Sequence, residues 1–433
     1  MKNEPAGSQK KISKIILTYI TGFVVTAALL TAILCLAAKI PTQAIYKHTL
    51  ESAKYLSAGE SFGYVIEKKK STMIDRYADA ILLNIAWNYD TGYPLRSTML
   101  SAYYYSPDHE ETMNLLLSVR DGREANQQYM RYWHGSIAVV RPLLMIMPIQ
   151  GIYILNAVIL LLLFLAVVIL LIRMRQTVPA LGITLGIVMT AWWFVPLSLE
   201  YTWTCSLSLA ATLAVICLSR IDMNAIQYGL FFMITGMVTI FLDFLTTETL
   251  TLLFPLLTLL WLGKDKLDTV KTSITSVITW GIGYSCMWMT KWLLASIVFQ
   301  ENVIPYLDSH IEEWLIGNVE GVNPIIKTVE AILLNIGDLF PLGYGIIGKV
   351  IAALLVILAV FIVIRYHRKD YDRSFIIVAS VLGFIPFLRY IVMNNHSHWH
   401  NFFTYRALAS TIFAIVLIIG EITEIPPLTR EKS

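Results

Sequence analysis

The sequence predicts an all-α membrane protein, and three observations carry that prediction. Over 433 residues, 56% are hydrophobic and only 15% charged, with a mean hydropathy of +0.63. A soluble fold cannot hide that much apolar surface. The apolar residues are gathered into about ten runs of roughly the length that crosses a bilayer as a helix. The lysines and arginines of the short connections fall on alternate sides of those runs.

The first run covers residues 15–38, behind Lys10, Lys11 and Lys14. It is too long for the apolar core of a secretory signal, and Lys39 and Pro41 follow it rather than a small-residue cleavage site, so it reads as a retained signal anchor. A polar segment, 41–147, interrupts the apolar chain. Six spans are expected within 152–299: 152–172, 181–199, 202–218, two from the stretch 226–262, and 274–299. The 226–262 stretch is too long for one span at ~1.5 Å per residue, and Asp243 and Glu248 mark its break. A second polar segment, 300–343, contains Glu312, Glu313 and Trp314. It continues into an amphipathic run over 323–339 that suits a helix lying on the membrane surface. Spans 346–364, 375–391 and 402–419 complete a single polytopic domain, 1–433.

Arg173, Arg175, Arg220, Lys264, Lys266, Lys271 and the 365–373 cluster share one side with the N-terminus. The turns around Glu200, Thr246 and His398 lack such a cluster. The positive-inside bias then puts both termini in the cytoplasm and both long polar segments outside, in a bacterial inner membrane. Cys35, Cys205, Cys217 and Cys286 all fall in apolar segments and read as small apolar fillers. The lipid bilayer is the expected partner and nucleic acid is not; oligomeric state is not legible.

Candidate chemistry collects in the outer turns. Asp75 and Asp79 lie in a stretch, 73–87, whose apolar spacing fits a helix, so the two acids would share one face. Such a pair serves as a general base with its orienting partner, grips a cation, or is simply a solvated face balanced by Arg76 and Lys70. Tyr77 lies between them. Trp133 and His134 stand with Arg131 and Arg141 before a membrane entry. Aromatic residues there are an anchoring belt in the plainer reading, but outer arginines run against the positive-inside bias and suit phosphate oxygens. Glu200 stands in another outer turn; Asp243 and Glu248 are acids between two apolar helices, and Asp243 is expected to be functional or in a buried ion pair, whereas Glu248 equally marks a hairpin at the water boundary. His396, His398 and His400 alternate, which in an extended chain would place three potential zinc ligands on one side and on a helix would scatter them. Lys291, between tryptophans, either snorkels to the headgroups or holds a lipid phosphate. Arg406 is the last of the outer cations.

This layout of first helix, large acidic outer loop, many-helix bundle and second outer loop resembles the GT-C class of integral membrane glycosyltransferases. The resemblance is architectural and spans most of the chain. It implies transfer of a sugar from a polyprenyl-phosphate donor to an acceptor outside the membrane, with an acid of the first outer loop as catalytic base or as contact to metal or acceptor. Asp75 and Asp79 are the matching positions. They stand four apart and well beyond the first helix, whereas the class often shows adjacent or once-spaced acids soon after it. By the same logic, Arg131, Arg141, Lys291 and Arg406 would bind the donor phosphate, and Tyr77, Trp133, His134, Glu200, Asp243, Glu248 and the three histidines would contact substrate. A divalent metal is a possible cofactor. A transporter or lipid flippase, and a metal-dependent hydrolase or phosphotransferase, are the competing readings.

Overall fold

The computed structural model describes residues 6–221, 223–303, 305 and 323–424. It is an all-α, multi-pass membrane protein. Eight helices among the described residues are long and apolar enough to cross a bilayer. In chain order the helices are α1 (Ala6–Ala38), α2 (Thr42–Ser57), α3 (Arg76–Trp87), α4 (Pro94–Leu100), α5 (Glu111–Asp121), α6 (Ile137–Leu143), α7 (Ile149–Arg173), α8 (Thr177–Met189) and α9 (Leu199–Leu218). They continue as α10 (Ala225–Leu242), α11 (Leu250–Leu262), α12 (Thr269–Phe299), α13 (Pro324–Gly337), α14 (Gly345–Tyr366), α15 (Arg373–Val392), α16 (Asn394–Trp399), α17 (Asn401–Thr404) and α18 (Leu408–Ile422). Two antiparallel hairpins decorate the polar segment: β1 (Phe62–Tyr64) with β2 (Met73–Asp75), and β3 (Ala102–Tyr103) with β4 (Gln127–Gln128).

Two of the expected spans, α8 and α11, are shorter than the eight. The run expected to continue to residue 199 stops at Met189, because Ala191 turns into the left-handed region (φ 51°) and Trp192–Leu197 coil as a 3-10 segment containing Pro196. The 226–262 stretch breaks where expected, with Leu245 left-handed (φ 64°) between α10 and α11. The surface run is the helix α13, whereas Glu312, Glu313 and Trp314 lie outside the described residues.

In lipid there is no hydrophobic gain from bringing two apolar helices together, so close backbone packing must hold the bundle. The α10–α12 crossing illustrates it. A Cβ on Gly236 would sit 2.2 Å from the Trp280 carbonyl oxygen, and one on Gly283 would sit 2.1 Å from that of Met233. Any side chain at either position would push the two helices apart.

The polar segment folds onto one end of this bundle. Its core, including Leu83, Leu115 and Trp133, merges with Met237, Phe241 and Met287 of α10 and α12 in one continuous cluster. The 191–198, 243–249 and 393–407 connections meet it there, which puts every turn with candidate chemistry at the same end.

Candidate functional site

Asp75 does not lie on the face of a helix. Residues 73–75 are strand β2, paired in register with Phe62–Tyr64, and α3 begins only at Arg76. Asp75 is the N-cap: its Oδ1 accepts the Ala78 amide at 2.8 Å, satisfying one of the free donors of the first turn. The expected shared helix face with Asp79 is therefore corrected, because the cap geometry turns the two carboxylates to different neighbours.

Asp75 faces a cavity of about 450 Å³. Asp75 and Glu200 supply its carboxyl groups, and His134, His396 and His400 its imidazoles. Phe62, Tyr77, Tyr129, Tyr132, Phe244 and Phe403 give it aromatic walls, and Arg131 is its guanidinium. The Asp75 and Glu200 carboxyl groups are hydrogen-bonded to each other. Two carboxylates are acceptors only, so this contact requires one proton held between them. Burial pushes Asp75 up to about 6, against the lowering effect of its bonds to the Ala78 amide and Glu200. Glu200 Oε2 is buried and has no hydrogen-bond partner among the described residues.

The 129–135 stretch is built by α12. Trp288 and Trp292 both donate their indole N–H to the Arg131 carbonyl, at 2.7 and 3.2 Å, and Trp133 donates to the Met287 carbonyl at 2.9 Å. His134 is left-handed (φ 51°), a strained conformation for a residue with a side chain, of order 1–3 kcal/mol. Gly135 next to it donates its amide to the Phe241 carbonyl at 2.9 Å, and a Cβ there would lie 2.3 Å from that oxygen. The chain is thus pinned to the end of α10, and His134 is aimed by that anchor. His134 Nε2 meets the Tyr129 carbonyl at 3.1 Å, which fixes the proton on Nε2 and leaves Nδ1 as an acceptor without a partner among the described residues. Burial lowers His134 to about 3 and His400 to about 4, so both rings are neutral. Arg131 stacks over Tyr129 and Tyr132, with its guanidinium carbon 4.7 and 5.9 Å from the ring centres.

Asp79 lies behind this cavity rather than in it. It is fully buried and accepts the Leu199 amide at 2.8 Å, the Ser198 hydroxyl at 3.4 Å and the Tyr153 hydroxyl. Asp79 therefore ties α3 to the first turn of α9, the turn that carries Glu200. Burial raises Asp79 from its ordinary 3.8 to about 8 despite those donors. A carboxyl raised on folding contributes stability that is full below its ordinary value and is lost as pH rises towards 8. Asp79→Asn should remove that part of the pH dependence in thermal unfolding between pH 4 and 8 while keeping an acceptor for Leu199. Asp79→Ala should instead lose about 1–3 kcal/mol for each donor left unsatisfied. Equal pH profiles for wild type and Asp79→Asn would contradict the assignment.

The four cations expected to bind one phosphate do not converge. Arg141 is fully buried and donates to the Ala86 carbonyl and, at 2.6 Å, to that of Ile40. Arg406, also fully buried, donates to Phe402 and Ser71 carbonyls at 3.0 and 3.3 Å. Lys291 neither snorkels nor lines the cavity: its Nζ donates to the Thr98 carbonyl at 2.6 Å and lies 5.7 Å from the Trp133 ring centre. Arg131 alone of the four lines the cavity. Lys291→Met should accordingly leave any activity of the cavity within about threefold and shift stability by about 1 kcal/mol, the scale of one net hydrogen bond. A loss of substrate affinity on that substitution would return Lys291 to the site.

Residues 394–399 are helix α16, not an extended chain, which divides the histidines. His396 and His400 come together, ring centres 4.7 Å apart, whereas His398 turns away to Glu330 at 3.5 Å. Among the described residues no group of three or more His, Cys, Asp and Glu side chains is arranged to hold a metal ion. Asp243 accepts the amide and hydroxyl of Thr246, at 3.1 and 2.5 Å, and Glu248 pairs with Arg389 at 2.6 Å. Trp133, Asp243 and Glu248 thus brace the walls without lining them. Tyr129, Tyr132 and Phe403 fall in stretches whose aromatic density was visible in the sequence. Phe62 and Phe244 carried no signal of their own. No family model matches the chain, and no curated protein and no solved structure matches it either.

Proposed function

We propose that the chain is a glycosyltransferase of the GT-C type, moving a sugar from a polyprenyl-phosphate donor to an acceptor hydroxyl on the outer side of a bacterial cytoplasmic membrane. One observation carries the reading. A carboxyl pair sits in an aromatic-walled cavity at the membrane-bundle end opposite the basic connections. Aromatic faces beside carboxylates suit a sugar ring with its hydroxyls, and the positive-inside bias puts this end outside, with about ten spans and both termini in the cytoplasm.

In the step we infer, Asp75 takes the proton of the acceptor hydroxyl as that oxygen bonds to the anomeric carbon. The bond from that carbon to the phosphate oxygen breaks, and its electron pair leaves with the phosphate. The proton held between Asp75 and Glu200 resides on Glu200 at that moment, which leaves Asp75 free to act as base. Arg131, desolvated against two tyrosines, stabilises the charge developing on the phosphate. The neutral imidazoles of His134 and His400 accept or donate hydrogen bonds to sugar hydroxyls without adding charge. No step here uses a metal ion.

The test is transfer of labelled sugar from polyprenyl-phosphate donors by the full chain reconstituted in proteoliposomes. Transfer that depends on donor and acceptor supports the reading. Uptake of solute with no transfer would replace it with a transporter, and release of free sugar or phosphate that depends on added divalent ion would replace it with a hydrolase.

A further inference from the structure

The β1–β2 hairpin runs from the cavity to the turn at which the apolar span Leu342–Tyr366 begins. At its inner end Phe62 lines the cavity, stacks on Tyr77 with ring centres 5.5 Å apart, and is the register partner of Asp75. Beyond that end, Tyr64, Val65 and Ile66 are 43%, 45% and 41% exposed. Lys68, Lys69 and Lys70 come next in the chain.

The tip is seated on the head of a membrane helix. Lys69 Nζ donates to the Gly343 carbonyl at 3.0 Å and lies 5.8 Å from the Tyr344 ring centre, and the apolar span Leu342–Tyr366 begins at that turn. Three exposed apolar side chains are thereby held at the level where a helix enters the bilayer, the depth at which aromatic and aliphatic groups insert among headgroups. Exposed apolar side chains held together in this way mark a contact surface.

Of the other two lysines, Lys70 lies close enough to Asp338 for its charge to act on that carboxyl. Among the described residues Lys68 pairs with Glu67 at 4.0 Å, with the two side chains 88% and 87% exposed, a pairing of negligible strength. Lys70 lies close enough to the cavity for its charge to act on His400. Lysines at headgroup level gain most from anionic lipid, and they do so as point charges that need no fixed geometry.

We propose that the β1–β2 hairpin is a membrane-seated lip of the cavity, whose Lys68 and Lys70 bind the phosphate of an anionic lipid in the facing leaflet. The surface exists whether or not the cavity transfers a sugar, so its test reads lipid binding and not turnover.

The full chain in neutral detergent is titrated with phosphatidylglycerol, with a polyprenyl phosphate, with phosphatidylcholine and with inorganic phosphate, and bound lipid is counted by native mass spectrometry. Lys68→Gln with Lys70→Gln should weaken both anionic lipids on the order of 20-fold, roughly fivefold per lysine. Phosphatidylcholine binding should not change, and Lys68→Arg with Lys70→Arg should keep wild-type affinity. Tyr64→Ser with Ile66→Ser should weaken all three lipids. The proposal is overturned if the double glutamine variant binds phosphatidylglycerol as the wild type does. It is equally overturned if inorganic phosphate displaces the lipid at equal concentration, since the site would then take free phosphate and not a lipid.

Discussion

Asp75→Asn should lower sugar transfer by about 10³-fold, within the range that a positioned general base contributes. Asparagine keeps the cap, because its side-chain oxygen still accepts the Ala78 amide, so the loss reports chemistry and not folding. Glu200→Gln should have a smaller effect on rate at neutral pH but a distinct effect on its pH dependence. Wild-type transfer should fall as pH drops through about 6, where Asp75 takes up a proton and ceases to be a base. With glutamine at 200 the carboxyl hydrogen bond that lowers Asp75 is replaced by a weaker amide donor, and that limb should move to higher pH. Initial rates across pH 4–8 with a saturating donor check both outcomes. If Asp75→Asn retains transfer, or the acid limb stays in place in Glu200→Gln, the pair is not the base.

The membrane class of the chain and the gathering of polar turns at one end were legible in the sequence, because both follow from composition and from charge in the connections. Length and the acids Asp243 and Glu248 also located the α10–α11 break, since no span accommodates 226–262 in one pass. What escaped was set by long-range contacts. Apolar spacing across 73–87 fits a helix, but β1 pairs with the first three residues and makes Asp75 a cap instead of a face residue. Arg141, Lys291 and Arg406 look like outer cations in one dimension. In three dimensions each ends on a backbone carbonyl away from the cavity. Arg131 instead has its backbone carbonyl held by two tryptophans and its side chain stacked on Tyr129 at the cavity. Spacing cannot separate these two fates of an arginine. The histidine turn was decided by its local conformation, since the same alternation serves a metal when extended and divides when helical.

Arg389→Met should be strongly destabilising. Arg389 donates to Glu248 at 2.6 Å, to the Leu245 carbonyl at 2.5 Å and to the Ser397 hydroxyl at 3.2 Å. The two charged side chains are only 4% and 9% exposed, so solvent does little to screen them. Removing the guanidinium leaves Glu248 buried without a counter-charge, a loss of about 3–5 kcal/mol for a broken buried pair. Adding Glu248→Met to it should recover much of that, because an apolar pair of similar volume avoids the desolvation of both ions. The recovered protein should nevertheless transfer poorly. Leu245 is left-handed with its carbonyl on Arg389, its neighbour Phe244 lines the cavity, and Ser397 follows His396, which lines it too. The clamp therefore sets the separation of Phe244 and His396 as well as holding the bundle together. Thermal unfolding by light scattering, paired with KM and kcat for each variant, distinguishes these roles. A double variant that regains both stability and wild-type KM would show that Arg389 only stabilises, and one that regains stability with a raised KM would show that it also shapes the cavity.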